Sequence, residues 1–238
     1  MTGAYEPRVF DVASLAQAKR VILTDEASTS DERWLKETPY LAELASRQLR
    51  LGPHALLLDY GCGVGRLAKA LIERHGCRVV GIDISASMRA LAVSYVGSDR
   101  FFACAPAMLD TLAERGLAAD AALSVWVLQH CERPADDIAR LHRALRPGGA
   151  LFVVNNRQRA VPMLLRRLDA TGARPQGRWV DDGIDIKAEL ARRFALREEG
   201  RLAPESVAPN LPDLAYWASF VAPVAASAPP ESGDTAKL

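Results

Sequence analysis

The chain has 238 residues, enough for one α/β domain with a sizeable core, and its make-up (49% apolar, 25% charged, formal net charge +1) is that of an average globular protein. Near-neutral charge argues against a general nucleic-acid or acidic-membrane surface, and no apolar run reaches the length of a membrane span. The four cysteines (Cys62, Cys77, Cys104, Cys131) form no C-x-x-C pair, so neither a zinc site nor a disulfide framework is indicated, and a reduced, cytoplasmic protein without signal peptide or bound metal is expected.

In chain order, a short helix is expected over Ser14–Leu23, with Leu15, Ala18, Val21 and Ile22 on its apolar side. Ser30 or Asp31 is placed to cap a longer helix from about Glu32 to Leu51, which Pro39 should break or kink. Residues 1–52 are read as an N-terminal helical lid carrying Trp34, Glu37 and Tyr40, with Trp34 a candidate cofactor contact and Tyr40 a candidate catalytic group.

The stretch Leu56-Leu-Leu-Asp-Tyr-Gly-Cys-Gly-Val-Gly-Arg66 organises the rest. Its leucines read as a strand buried on both faces, and Gly61, Gly63 and Gly65 as a turn leading into an apolar helix (Arg66 to Arg74). Strand, glycine turn and helix make a nucleotide-type site at the carboxyl end of an open sheet. The spacing is G-x-G-x-G rather than G-x-G-x-x-G, and Asp59 stands two residues before the first glycine. An anion is unfavourable beside a pyrophosphate and favourable beside an ammonium, so S-adenosylmethionine suits the loop better than a dinucleotide.

The apolar run Arg78–Asp83 is the second strand; Asp83 at its end is placed to accept hydrogen bonds from ribose hydroxyls, with Ile84 and Met88 covering an adenine ring. A short third strand, Arg100–Ala103, a helix from Pro106 to Arg115 and a fourth strand, Ala119–Trp126, follow. Val127-Leu-Gln-His130 then leaves the sheet on the glycine-loop side. Pro134 opens a helix that Arg146-Pro-Gly-Gly149 ends, and Ala150–Val154 is the fifth strand. This alternation predicts a doubly wound, mostly parallel sheet, seven-stranded with two closing strands near 195–202 and 214–221. Within the domain 53–221, residues 155–194 read as an acceptor-side insertion, partly helical over Val161–Leu168, with a loop or short edge strand at Gly177–Gly183 and a helix capped by Asp185. Residues 222–238, rich in Pro, Ala, Ser and Gly, read as a disordered tail.

Four segments, Leu58–Gly65, Gly81-Ile-Asp-Ile-Ser-Ala-Ser-Met88, Asp120–His130 and Leu145-Arg-Pro-Gly-Gly149, occur in an order and spacing that resemble the class I S-adenosylmethionine-dependent methyltransferases. The resemblance implies that Gly61 and Gly63 face the methionine moiety and Asp83 the ribose. It also implies that Val125 and Trp126 pass beside the methionyl part, with His130 near the sulfonium. One departure is that Ala103-Cys-Ala-Pro106 offers no acid or amide to adenine, leaving backbone groups near Cys104 and Ala105.

His130 is the base candidate by position and pKa range, and Asn155 and Asn156 are placed to bond the acceptor or the methionine end. Without an N-P-P-Y-like tetrad, and with Arg157, Arg159, Arg166 and Arg167 read as a solvated face, a small-molecule acceptor is favoured over nucleic acid. One alternative is cyclisation, in which the cofactor's own amino group attacks its γ-carbon and releases methylthioadenosine. Trp34, Tyr40, Trp126 and Asn155 would then close an acceptor-free pocket. A second alternative is a non-catalytic cofactor-binding module.

Overall fold

The computed structural model describes residues 3–23, 28–169 and 172–224, with backbone alone between 165 and 176. The chain opens with β1 (Gly3–Tyr5), a 3-10 turn (Pro7–Phe10), α1 (Leu15–Ile22) and α2 (Ser30–Leu49). The doubly wound run is β2 (Leu56–Tyr60), α3 (Arg66–His75), β3 (Arg78–Ile82), α4 (Ala86–Val96), β4 (Phe101–Cys104), α5 (Pro106–Glu114), β5 (Ala119–Val125), α6 (Pro134–Ala144) and β6 (Leu145–Asn156). Next come β7 (Val161–Asp169), β8 (Gly172–Val180), α7 (Ile186–Ala191), β9 (Ala195–Gly200), α8 (Leu211–Leu214) and β10 (Ala215–Val221).

The main sheet has seven strands in the order β4-β3-β2-β5-β6-β10-β9. β2 to β6 pair in parallel, and β10 runs antiparallel between β6 and β9. Both faces are covered, as consecutive residues show. Leu57 and Phe152 pack with Leu41, Ala45 and Leu71 of α2 and α3. Their neighbours Leu58 and Val153 pack with Leu109, Ile138 and Leu190 of α5, α6 and α7. Such two-sided burial makes the strands read as continuous apolar runs.

Several elements differ from the sequence expectation. Thr29 caps α2, accepting from the Glu32 N–H at 3.2 Å, while Glu32 accepts from the Thr29 N–H at 2.9 Å; this is a reciprocal capping box one residue before the expected caps. Pro39 does not end the helix. It is exposed, so the carbonyl freed by its missing N–H is reachable by water. Leu41, Ala42, Ala45 and Leu49 place this half of α2 in the sheet core rather than in a lid. Strand β6 starts at Leu145, before the glycines, through a register irregularity against β5.

The largest departure is Val161–Leu168, which is a strand and not a helix. β7 pairs antiparallel with β8 from Val161↔Val180 to Asp169↔Gly172, and β1 joins its other edge through Ala4↔Leu164. A short apolar run satisfies either period, and here the partners on both sides decide it. The result is a separate three-stranded sheet, β1-β7-β8. Among the described residues no helix is long and apolar enough to cross a membrane. From residue 225 the expected tail lies outside the described residues.

Candidate active site

A cavity of about 680 Å³ opens at the carboxyl ends of β2, β3, β5 and β6, and the three-stranded sheet lies over one side of it. Its floor is the glycine turn. The N–H groups of Gly61 and Cys62 both donate to the Ile82 carbonyl, at 2.6 and 2.9 Å, tying the turn to the end of β3. Gly61 has φ +76°, and a Cβ there would lie 2.1 Å from Cγ2 of Val127; no other residue fits. Gly63 (φ +53°) lies beneath Ile22, whose Cδ1 would be 2.8 Å from an added Cβ, so α1 roofs the turn.

Asp83 joins the turn to α4. It accepts from the Gly63 N–H at 2.8 Å and the Ser85 N–H at 2.9 Å, and it lies on the cavity wall. Burial pushes its carboxyl above the usual range, against the pull of these two donors. Arg89 donates to the carbonyls of Asp83 and Ile84, at 2.7 and 3.0 Å, and holds this corner in place. Half-exposed Ile84 and buried Met88 flank Asp83 on the wall. Pro106, not Cys104 or Ala105, continues it. The Cys104 carbonyl already accepts from the Asp83 N–H at 3.2 Å.

Val125 and Trp126 also line the cavity. Trp126 takes a left-handed backbone (φ +64°), fixed by its N–H donating to the Val154 carbonyl at 2.8 Å. Its indole Nε1 is buried without a hydrogen-bond partner. The left-handed backbone of Trp126 is the one strained non-glycine position on this wall among the described residues.

The remaining candidates are brought together unevenly. His130 lines the cavity; Asn155 and Tyr40 do not. The Asn155 side chain is buried, its Oδ1 accepting from the Gln129 N–H at 3.1 Å, so it fastens the turn after β5. Asn156 does reach the wall. Tyr40 packs against the α2 side of the core, and its hydroxyl accepts from the Ala203 N–H at 2.9 Å. Trp34 is off the wall too. It is buried edge-on against Tyr95 at 5.8 Å, with the Arg66 guanidinium 5.3 Å from its ring centre.

Asp59 lies behind the turn, off the cavity wall, with Oδ2 buried and unpartnered. Burial, reinforced by the nearby Asp83, pushes its carboxyl up to about 7, while the Ala68 backbone and Arg66 pull it back. Arg66 is itself pushed down to about 10 by burial.

Sequence reasoning missed the far wall. Gln129 Oε1 accepts from the Asn156 N–H at 2.8 Å, which turns its Nε2 toward His130 Nε2, 3.2 Å away. His130 Nδ1 lies 2.6 Å from the Ala160 carbonyl and donates to it. The network therefore assigns the neutral Nδ1–H tautomer, with the Nε2 lone pair facing the Gln129 amide. Burial, which lowers the His130 pKa, works in the same direction. Phe10, Trp179 and Tyr5 line the same end, and none stands near a motif. Tyr60 also lines the cavity; its hydroxyl bonds Asp137 and accepts from Arg140 at 3.0 Å.

The glycine cradle, the Asp83 carboxylate at the end of β3 with two backbone donors, and the Ile84–Met88 wall fit S-adenosylmethionine. The family profile described as "Methyltransferase domain" matches residues 58–153. Over 140 residues the chain is 31% identical to the tRNA U34 carboxymethyltransferase of Cellvibrio japonicus, covering 54% of this chain and 40% of that one. Over 149 residues it is 29% identical to the ubiquinone biosynthesis O-methyltransferase of Caulobacter vibrioides, covering 60% and 58%. The chain thus spans less than two thirds of the length of these relatives. Among solved structures, an S-adenosylmethionine-dependent methyltransferase from Mesorhizobium loti superposes with TM-score 0.55 at 21% identity, over 79% of this chain and 99% of that one. Geranyl diphosphate C-methyltransferase from Streptomyces coelicolor, bound to S-adenosyl-L-homocysteine, superposes with TM-score 0.56 at 16% identity, over 85% and 84%. Motif order, sheet topology and domain match agree: residues 58–153 carry a methyltransferase domain of the class I S-adenosylmethionine-dependent kind, and its cofactor is S-adenosylmethionine.

Proposed function

We propose that the protein transfers the methyl group of S-adenosylmethionine to a small-molecule acceptor by in-line displacement. One observation carries this reading: a single cavity runs from Gly61, Gly63 and Asp83 to Phe10, His130 and Trp179. Space beyond the cofactor wall is what a second substrate needs and what cyclisation of the cofactor alone does not.

When bound, S-adenosylmethionine supplies a methyl carbon already activated by its sulfonium. The protein's part is alignment, water exclusion and proton handling. Gly61 and Gly63 let the cofactor approach the backbone, Asp83 accepts from the ribose hydroxyls, Ile84 and Met88 cover the adenine, and Val125 and Trp126 flank the methionyl part. Asp59, whose carboxyl titrates near 7 in the free protein, acts in its ionised form from behind the turn as a field on the ammonium. His130, neutral with its lone pair on Nε2, accepts the acceptor's proton, displacing the long Gln129 contact.

Calorimetric titration with S-adenosylhomocysteine tests the cofactor half, with at least tenfold weaker binding expected for Asp83→Ala. Unchanged affinity in that variant would remove the ribose assignment. Methylthioadenosine formed from S-adenosylmethionine with no acceptor present would replace transfer by cyclisation. Methylation of tRNA in preference to every small acceptor would overturn the acceptor half.

A further inference from the structure

Resting on the transferase reading, we propose that the acceptor is a planar aromatic ring bearing a hydroxyl group, held in the corner formed by Phe10, His130 and Trp179. Three segments distant in the chain bring these rings together. They are the 3-10 turn after β1, the turn after β5, and β8. Ring centres lie 5.9 Å (Phe10–His130), 6.3 Å (Phe10–Trp179) and 5.3 Å (His130–Trp179) apart, with planes inclined at 56°, 59° and 60°.

Rings tilted against one another at these distances leave no slot between them, so a flat guest lies against their outer surfaces, in the offset and edge-to-face contacts that aromatic quadrupoles favour. Trp179 is 57% exposed and is one of the residues lining the cavity. Leu211 and Leu214 of α8 add aliphatic surface to the lining, so the guest is apolar over most of its area. The polar groups at this end are the His130 edge, the Gln129 amide against it and the Tyr5 hydroxyl. The lining is balanced in charge, with Arg20, Arg33, Arg133 and Arg140 against Asp83, Glu132, Asp136 and Asp137, so it gives a cationic guest no net attraction. The acids Asp136 and Asp137 there are already paired with Arg133 at 3.1 Å and Arg140 at 2.7 Å.

A ring hydroxyl directed at His130 completes the chemistry. The hydroxyl oxygen forms a bond to the methyl carbon while the carbon–sulfur bond breaks, its electron pair staying on sulfur as a thioether. The hydroxyl proton passes to Nε2 of His130 and then to solvent.

The test uses the full chain saturated with S-adenosylhomocysteine, whose own binding is measured first. Catechol is then titrated against its saturated counterpart cyclohexane-1,2-diol and against tetramethylammonium, followed by calorimetry and tryptophan fluorescence. Catechol should bind about tenfold or more tighter than either, and Trp179→Ala should remove about tenfold of that affinity. In Trp179→Phe the affinity should be largely kept and the fluorescence response reduced to the part that Trp126 gives. Equal affinity for the saturated diol, preference for the cation, or an affinity indifferent to Trp179 would overturn the aromatic acceptor while leaving the cofactor reading intact. Failure of S-adenosylhomocysteine to bind would instead remove the transferase reading beneath it.

Discussion

Asp59 shows at the scale of one residue how burial alters chemistry. With its carboxyl raised to about 7 from an unfolded value near 3.8, the folded state holds a proton there that the unfolded state releases. The associated stabilisation is complete below the unfolded pKa and is lost as pH rises through about 7. Asparagine cannot titrate. The stability of Asp59→Asn relative to wild type should therefore improve from pH 5 to pH 8 by an amount on the order of a few kcal/mol, read from urea midpoints without cofactor. A difference independent of pH would show that the carboxyl is ionised throughout. The same residue marks a limit of sequence reading: its two-residue spacing from Gly61 says that it is close to the turn, not which side of it the side chain takes.

Among elements, α2 is the instructive one. Its apolar spacing outlined the helix, but proline chemistry predicted a break that tertiary packing overrides. Because Pro39 is exposed and adds no core contact, Pro39→Ala should raise stability by about 1–3 kcal/mol, seen as a higher denaturant midpoint with unchanged slope. A loss of stability would mean that the proline shapes the helix for packing. The parallel strands were legible because each is a short apolar run between turn residues, and Asp83 because it ends one of them. Strand β7 was not, and of β8 only the end near Gly177–Val180 reads as a loop or short edge strand, since Pro162 and the arginines at 166 and 167 disguise the alternation and the partner β1 lies far away in the sequence. Phe10 and Trp179 stayed hidden for the same reason.

At the scale of the whole molecule, the two sheets are unequally held. The main sheet is packed on both faces, whereas of the described cover side chains only Val161 and Pro162 are buried. Hydrogen exchange of the free protein should therefore find the amides of β1, β7 and β8 opening far more readily than those of β2, β5 and β6. Equal protection would mean that both sheets unfold as one unit. Ready local opening gives an acceptor a route to the chamber without disturbing the cofactor wall.

The segment that the family profile matches, residues 58–153, ends within β6. In the intact chain that strand pairs along its length with β10, from Ala150↔Val221 to Asn156↔Ala215, and α2 covers one face of the sheet. Cut out alone, the matched segment would present an unpaired, apolar strand edge, a template for joining other copies of itself. In this chain the matched segment thus carries the cofactor side of the cavity, while residues outside it close the sheet edge.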